Sequence, residues 1–195
     1  MLYRSIYKSP LGKMLILFDK DTLLGLYFEG QKEFHDLIKD EEVKNFNERE
    51  VFNGVEKFNK KSEIENNKIL EETKKWLNIY FSGLEPNFTP KINLRGTEFR
   101  RDVWKILLEI PYGETLTYKD IANKLMASKK YERMSSQAVG GAVGANPISL
   151  IIPCHRVVGT SGSLTGYAGG LVRKLKLLEL EGIDVNKFFM PKNHE

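Results

Sequence analysis

The stretch "LEPNFTPKINLRG", residues 84–96, carries two prolines and no apolar period, and the patterns on its two sides differ. That change of period constrains the fold more than any other feature of the chain. On the N-terminal side, "KMLILFDKDTLLGLYFEG" has two apolar runs around Asp19–Asp21, which predicts a strand hairpin over 13–28. Residues 2–8 read as a further strand. A helix is expected near 32–39, followed by exposed, variable structure to about 65, where Lys, Glu and Asn dominate. "NKILEETKKWLNIYFSG" then puts Ile69, Trp76, Leu77, Ile79 and Tyr80 on one helical face and closes on Gly83.

On the C-terminal side helical spacing takes over. "TEFRRDVWKILLEIPYG" places Phe99, Val103, Trp104, Ile106, Leu107 and Ile110 on a helix that stops before Pro111. Thr117 and Asp120 make a capping-box-like start for "YKDIANKLM". After a lysine-rich connection, "SSQAVGGAVGAN" begins with Ser135 or Ser136 as its N-cap. Two short helices joined by a turn fit a helix-turn-helix. The last helix, "LVRKLKLLELEG", is expected to turn Leu171, Leu175, Leu177 and Leu178 inward. Strands first and helices second make an α+β chain: a small antiparallel β-sheet with helices, then a mostly helical, winged-helix-like domain holding the helix-turn-helix. The expected units are 1–85, 86–182 and a tail over 183–195.

Composition narrows the function classes. The 195 residues suffice for a sizeable core, and a single cysteine leaves no internal disulfide, which points to a reducing compartment. No apolar run approaches the roughly 20 residues of a membrane span, and "MLYRSIYKSPLG" lacks the apolar core of a signal peptide. The expected location is the cytoplasm, with no membrane partner. Residues 1–85 hold 14 basic and 16 acidic side chains, net −2, whereas residues 86–195 hold 16 and 10, net +6. A basic C-terminal half suits an anionic partner such as nucleic acid, although a solvated basic surface would look the same.

Few residues can carry chemistry. No glycine-rich nucleotide loop, Walker loop or His-Glu-x-x-His is present. His35, His155, His194 and one cysteine argue against a zinc site, so no metal and no cofactor is expected. Gly140, Gly141 and Gly144 inside one helix each cost roughly 1 kcal/mol relative to alanine. Either a neighbouring helix or a nucleic-acid backbone must come close to repay that. Cys154 in "PISLIIPCHRVVGTSG" is either an apolar filler at the end of a buried strand or a nucleophile. His155 or Arg156 would lower its pKa, but strand neighbours face opposite ways, so His155 reaches it only through a turn or a water.

"NPISLIIPCHRVVGTSGSLTGYAGG" resembles the active-site signature of the 6-O-alkylguanine–DNA alkyltransferases, the methylated-DNA–protein-cysteine methyltransferases. The likeness extends through "GTEFRRDVWKILLEIPYGETLTYKDIA" and "AVGGAVGANP" to "KLKLLELEG", strongly over about 67–182, and more loosely to "SPLGKMLILFDKDTLLGLYFEG". The resemblance implies direct DNA repair. The helix-turn-helix would enter the minor groove of double-stranded DNA, and an alkylated guanine, or a 4-O-methylthymine as a second lesion, would be flipped into a pocket. Cys154 would take the alkyl group irreversibly, once per molecule. His155 is implied as the base acting through a water, Glu181 as the acid that orients it, and Asn146 as the tie between recognition helix and cysteine loop. Tyr118 would assist the leaving group. Tyr167 and Ala168 would form the pocket wall, Val157 would read the guanine edge, and Lys174 would lie near the site. Ser136, Gln137, Ala138, Gly140 and Gly141 would meet DNA. Without the resemblance, Tyr118 reads as a core aromatic, Glu181 as a solvated helix end, Asn146 as a turn residue and Tyr167 as loop packing.

One position departs from the family pattern. Gln137 stands where the best-known members place an arginine that fills the space left by the flipped base, which predicts weaker electrostatic anchoring, offset by Lys129, Lys130 and Arg133. The N-terminal half is expected to brace the other, and the protein to be a monomer without DNA. A non-catalytic helix-turn-helix regulator with an inert Cys154, and a cysteine hydrolase using Cys154 and His155, are the competing readings.

Overall fold

A computed structural model describes residues 1–45 and 67–190. The first apolar runs form the meander β1 (Leu2–Ser9), β2 (Gly12–Phe18) and β3 (Leu23–Phe28), antiparallel throughout. Alternate residues of β2 and β3 face two different cores. Met14, Ile16, Phe18, Leu26 and Phe28 join the main cluster, while Leu15, Leu17, Leu24 and Tyr27 pack with Phe34 and Val43. A sheet covered on both faces explains why these strands read as continuous apolar runs. Helix α1 (Lys32–Lys39) lies where the periodicity places it and supplies Phe34. A short strand β4 (Val43–Asn45) then pairs parallel to β1, giving the order β3-β2-β1-β4. Three residues without alternation gave no sign of it. The rest of the segment expected to be exposed, 46–66, lies outside the described residues.

Helix α2 (Lys68–Phe81) is capped by the Asn67 side chain, which accepts from the Leu70 amide, and ends at Ser82 with Gly83 at φ 81°. Glycine reaches that left-handed conformation without a Cβ clash. Its inward face is Ile69, Leu70, Thr73, Trp76, Leu77 and Tyr80. In the second half, α3 (Glu98–Leu108) starts on the Thr97 cap. After β5 (Leu116–Thr117), α4 (Tyr118–Ala127) starts on a full Thr117–Asp120 capping box. Ser135, rather than Ser136, caps α5 (Ser136–Gly144). β6 (Val157–Val158) pairs parallel with β5, and α6 (Leu171–Leu180) closes the site. The inward face of α6 is Lys174, Leu177 and Leu178, whereas Leu171 and Leu175 are only half-buried. A buried lysine on that face escapes any apolar-period rule.

One core runs through both halves, joining Met14, Phe18 and Phe28 to Trp104, Ile152 and Cys154. The outer edge of β3 is what unites them. Leu23 exchanges backbone hydrogen bonds with Lys91 and Asn93, and Leu26 donates to Pro147 and accepts from Ser149 at 2.9 Å each. An otherwise open sheet edge is thereby covered, and the segment leading to Cys154 is fixed to the N-terminal sheet. No helix among the described residues is long and apolar enough to cross a membrane.

Candidate active site

Cys154, His155 and Arg156 form one turn of 3₁₀-helix, not the end of a strand. Successive side chains on such a turn diverge by about 120°, so thiol and imidazole point to different partners. The approach to the turn is wound tightly. Leu150 holds φ 70°, and the Ile152 amide donates back to the Ile148 carbonyl at 3.0 Å. Left-handed backbone at a β-carbon-bearing residue costs of order 1–3 kcal/mol and persists only where its surroundings enforce it. Here the Leu26–Ser149 bond and the buried Ile148, Ile151 and Ile152 enforce it.

Asn146, just past the end of α5, is buried and organises this loop. Its Nδ2 donates to the Ile152 carbonyl at 2.8 Å and to Cys154 Sγ at 3.0 Å, and its Oδ1 accepts from the Ile148 amide. Burial raises the thiol pKa, while the Asn146 bond and the Lys174 charge oppose that rise. Arg156 does not serve the thiol. Its guanidinium turns to Glu181 instead, with Nε to Oε2 at 2.8 Å and Nη2 to Oε1 at 3.1 Å, and Nη1 donates to the Ile110 carbonyl.

His155 is fully buried, and burial pushes its pKa down against the pull of Glu181, so the imidazole is neutral. Its Nε2 lies 2.7 Å from Glu181 Oε1, an acceptor, which makes Nε2 the protonated nitrogen. Nδ1 is then the basic nitrogen, and it has no protein hydrogen-bond partner. Glu181, the C-cap of α6, is buried rather than solvated. Burial would raise its pKa, but the bonds from His155 and Arg156 outweigh burial and hold it at about 2. The Gly113 amide also donates to Oε2 at 3.2 Å. Gly113 sits at φ 78°, and a Cβ there would lie 3.2 Å from the Glu181 carbonyl oxygen, so the turn after Pro111 comes this close only with glycine.

The opposite wall is polar at backbone level. Lys174 is fully buried, and its Nζ donates to the Val157 carbonyl at 2.5 Å and the Thr165 carbonyl at 2.8 Å. Burial lowers its pKa to about 8 despite the opposing pull of Cys154. Tyr118, first residue of α4, donates to the same Thr165 carbonyl at 2.9 Å. Tyr167 is buried edge-on to His155 with its hydroxyl unpartnered, and Ala168 beside it is exposed.

Beyond this wall α5 presents a slender surface. Ser136, Gln137, Ala138, Gly141 and Gly144 are exposed, and Gly140 is half-buried against Tyr118. A Cβ at Gly141 or Gly144 would meet nothing within 4 Å, and one at Gly140 would make only ordinary contact with Tyr118. Packing inside the protein therefore does not require these glycines. Lys130 does not reinforce Gln137, because it is paired with Glu98 and Asp102 on α3.

Comparison with known proteins identifies the family. Residues 2–94 match the family described as 6-O-methylguanine DNA methyltransferase, ribonuclease-like domain, and residues 98–183 match its DNA binding domain. The methylated-DNA–protein-cysteine methyltransferase of Methanosarcina acetivorans is 39% identical over 93% of this chain and 99% of its own length. This chain belongs to the methylated-DNA–protein-cysteine methyltransferase family. That of Mycobacterium tuberculosis is 53% identical over 105 residues, 54% of this chain and 61% of its own. The M. tuberculosis OGT solved in complex with DNA superposes with a TM-score of 0.72 at 34% identity, covering 95% of this chain and 94% of that one.

For a member of this methyltransferase family, the sequence missed two buried partners of Glu181. Arg156 reads as a cation beside the thiol, yet it forks onto the carboxylate. Tyr80 reads as part of the inward face of α2, yet its hydroxyl donates to Glu181 Oε1 at 2.7 Å. Only their residue types, a guanidinium and a phenol amid apolar neighbours, signalled that buried hydrogen bonds had to be found.

Proposed function

We propose that the protein repairs alkylated DNA by moving an alkyl group from the 6-oxygen of guanine to Cys154, once per molecule. One observation carries the reading: His155 commits Nε2 to Glu181 and keeps a bare, buried Nδ1 for the proton of the neighbouring thiol. A water bridging Sγ and Nδ1 relays that proton, because the 3₁₀ turn diverts the two side chains. The thiolate attacks the alkyl carbon, the S–C bond forms, and the C–O bond breaks with its electron pair going to guanine. Tyr118 faces the leaving guanine and assists its reprotonation. The product thioether has no good leaving group, so the enzyme is consumed.

Cys154 is only 6% exposed, so the alkyl carbon reaches it on an extruded base and not on one stacked in a duplex. The exposed face of α5 enters the minor groove, where Ser136, Gln137, Ala138, Gly140 and Gly141 let the sugar-phosphate chains approach closely. Tyr167 and Ala168 line the base pocket, and the carbonyl of Val157, held by Lys174, reads the guanine edge. The protein acts as a monomer before it meets DNA, in a reducing cytoplasm that keeps its thiol free. Incubation with a duplex oligonucleotide carrying 6-O-methylguanine, followed by intact-protein mass spectrometry, tests the reading. One gain of about 14 Da per chain, absent in Cys154→Ala, is expected for a single methyl on a nucleophilic thiol. Turnover without mass change would show a hydrolase instead, and tight binding without either would show a regulator.

A further inference from the structure

Among the described residues, the relay contains one group from the N-terminal half. Tyr80, on the last turn of α2, donates its hydroxyl to Glu181 Oε1 at 2.7 Å, and the tyrosine hydroxyl oxygen lies 3.2 Å from His155 Nε2. The ring is completely buried, stacked on Trp76 at 5.2 Å and set edge-on to Phe81, Tyr112 and His155. A phenol with so little freedom holds its hydroxyl in one place. Cys154, His155, Glu181 and Asn146 all come from the C-terminal half, so Tyr80 is the point at which the other half enters the chemistry.

We propose that Tyr80 is a positioning residue for alkyl transfer, whose hydroxyl shares Glu181 Oε1 with His155 and so limits how strongly the carboxylate holds a proton on the imidazole. This rests on the alkyl-transfer reading above. The carboxylate oxygen divides its charge among three donors, Tyr80 and His155 at 2.7 Å each and Arg156 Nη2 at 3.1 Å. Without the hydroxyl, His155 receives a larger share of it, and the imidazolium becomes more stable. The longer contact from the tyrosine oxygen to Nε2 acts the other way, but at 3.2 Å it is the weakest of these contacts. The groups facing His155 are Glu181 and Lys174 on α6, Arg156 and Cys154 on its own turn, Tyr167 on the loop and Tyr80 on α2. Lys174 and Arg156 oppose a protonated imidazole, and burial opposes it most. Tyr80 adds to that balance from outside the C-terminal half, keeping the base neutral where the repair reaction needs it.

The test is a pH titration of the histidine ring nitrogens by NMR, simplified by the presence of only three histidines, together with the single-turnover methylation rate across pH. In Tyr80→Phe, the His155 titration and the acid limb of the rate both move up by about half a pH unit or more. In a Glu181→Gln background the same change adds no further shift, and Trp76→Phe, which disturbs the ring stack and spares the hydroxyl, leaves the titration in place. Coincident titrations in wild type and Tyr80→Phe overturn the proposal, as does an equal shift with and without Glu181. If Tyr80→Phe does not fold, wild type alone decides. The Tyr80 hydroxyl proton is then expected to be protected from exchange and close to the His155 ring, and a freely exchanging proton overturns the proposal. Should the wild-type enzyme transfer no methyl group, the repair reading falls, while the ring titration still judges Tyr80.

Discussion

A thiol buried among isoleucines is poorly disposed to ionise, and the residues around Cys154 work against that burial one by one. Asn146 donates to Sγ directly, Lys174 adds charge from the next wall, and His155 offers a bare nitrogen. Of these, Asn146 also holds the loop through Ile148 and Ile152. Asn146→Ala is therefore expected to slow methyl transfer at neutral pH about tenfold or more, the worth of one hydrogen bond to a developing charge. Single-turnover rates measured across pH should show the alkaline limb moving up, because the thiolate has lost a donor. A rate loss with no movement of that limb would assign Asn146 to loop structure alone.

At the scale of elements, α5 is held from behind and left bare in front. The Trp104 indole donates to the Ala142 carbonyl at 2.8 Å, and Ser135 caps the first turn. Helical glycine is less stable than alanine by about 0.5–1 kcal/mol. Gly141→Ala and Gly144→Ala meet open space, so each should raise the unfolding free energy by that amount while weakening binding to duplex DNA. Denaturant unfolding and a titration with an oligonucleotide measure the two halves of this prediction. A gain in stability with unchanged DNA affinity would mean that this face does not meet DNA. Gln137 is exposed in the first turn and brings no charge of its own, and Lys130 is committed to Glu98 and Asp102 on α3. Gln137→Arg should steepen the salt dependence of DNA binding by up to about one phosphate equivalent, read from affinities at several salt concentrations.

The two halves of the molecule meet at a buried polar cluster as well as along the edge of β3. Glu181 receives Tyr80 from α2, Arg156 and His155 from the cysteine turn, and the Gly113 amide. Its pKa falls from 4.5 to about 2 on folding, so the folded state binds fewer protons than the unfolded chain between those values. The stabilisation is fully present above the unfolded pKa and is lost as pH falls through the folded one. Acid titration of stability should therefore steepen between about pH 4.5 and 2. Glu181→Gln should flatten that limb and lower stability at neutral pH by about 3–5 kcal/mol, since it leaves Arg156 buried without its counter-charge. Thermal or denaturant unfolding at a series of pH values checks both.

Local rules were enough wherever one element decided its own state. The meander, α1, the Thr117 capping box and a serine cap on α5 follow from alternation, helical spacing and the oxygens that can reach an orphan amide. The motif around Pro153-Cys154-His155 carried the family, and with it the expectation that Asn146, Glu181 and Lys174 lie close to the thiol turn, where they are found. Other features depend on partners far away in the chain. β4 is three residues that become a strand only beside β1, and the 3₁₀ turn at Cys154 exists because β3 pins Pro147–Ser149. Lys174 lies inside α6 because two backbone carbonyls receive it, and Tyr80 and Arg156 turn polar ends inward because Glu181 waits there. Sequence by itself determined the longer elements and, through its motif, singled out the thiol. Tertiary structure decided which nitrogen of His155 is free and which residues hold it so, because a buried hydrogen bond is set by what stands opposite and not by what stands adjacent in the chain.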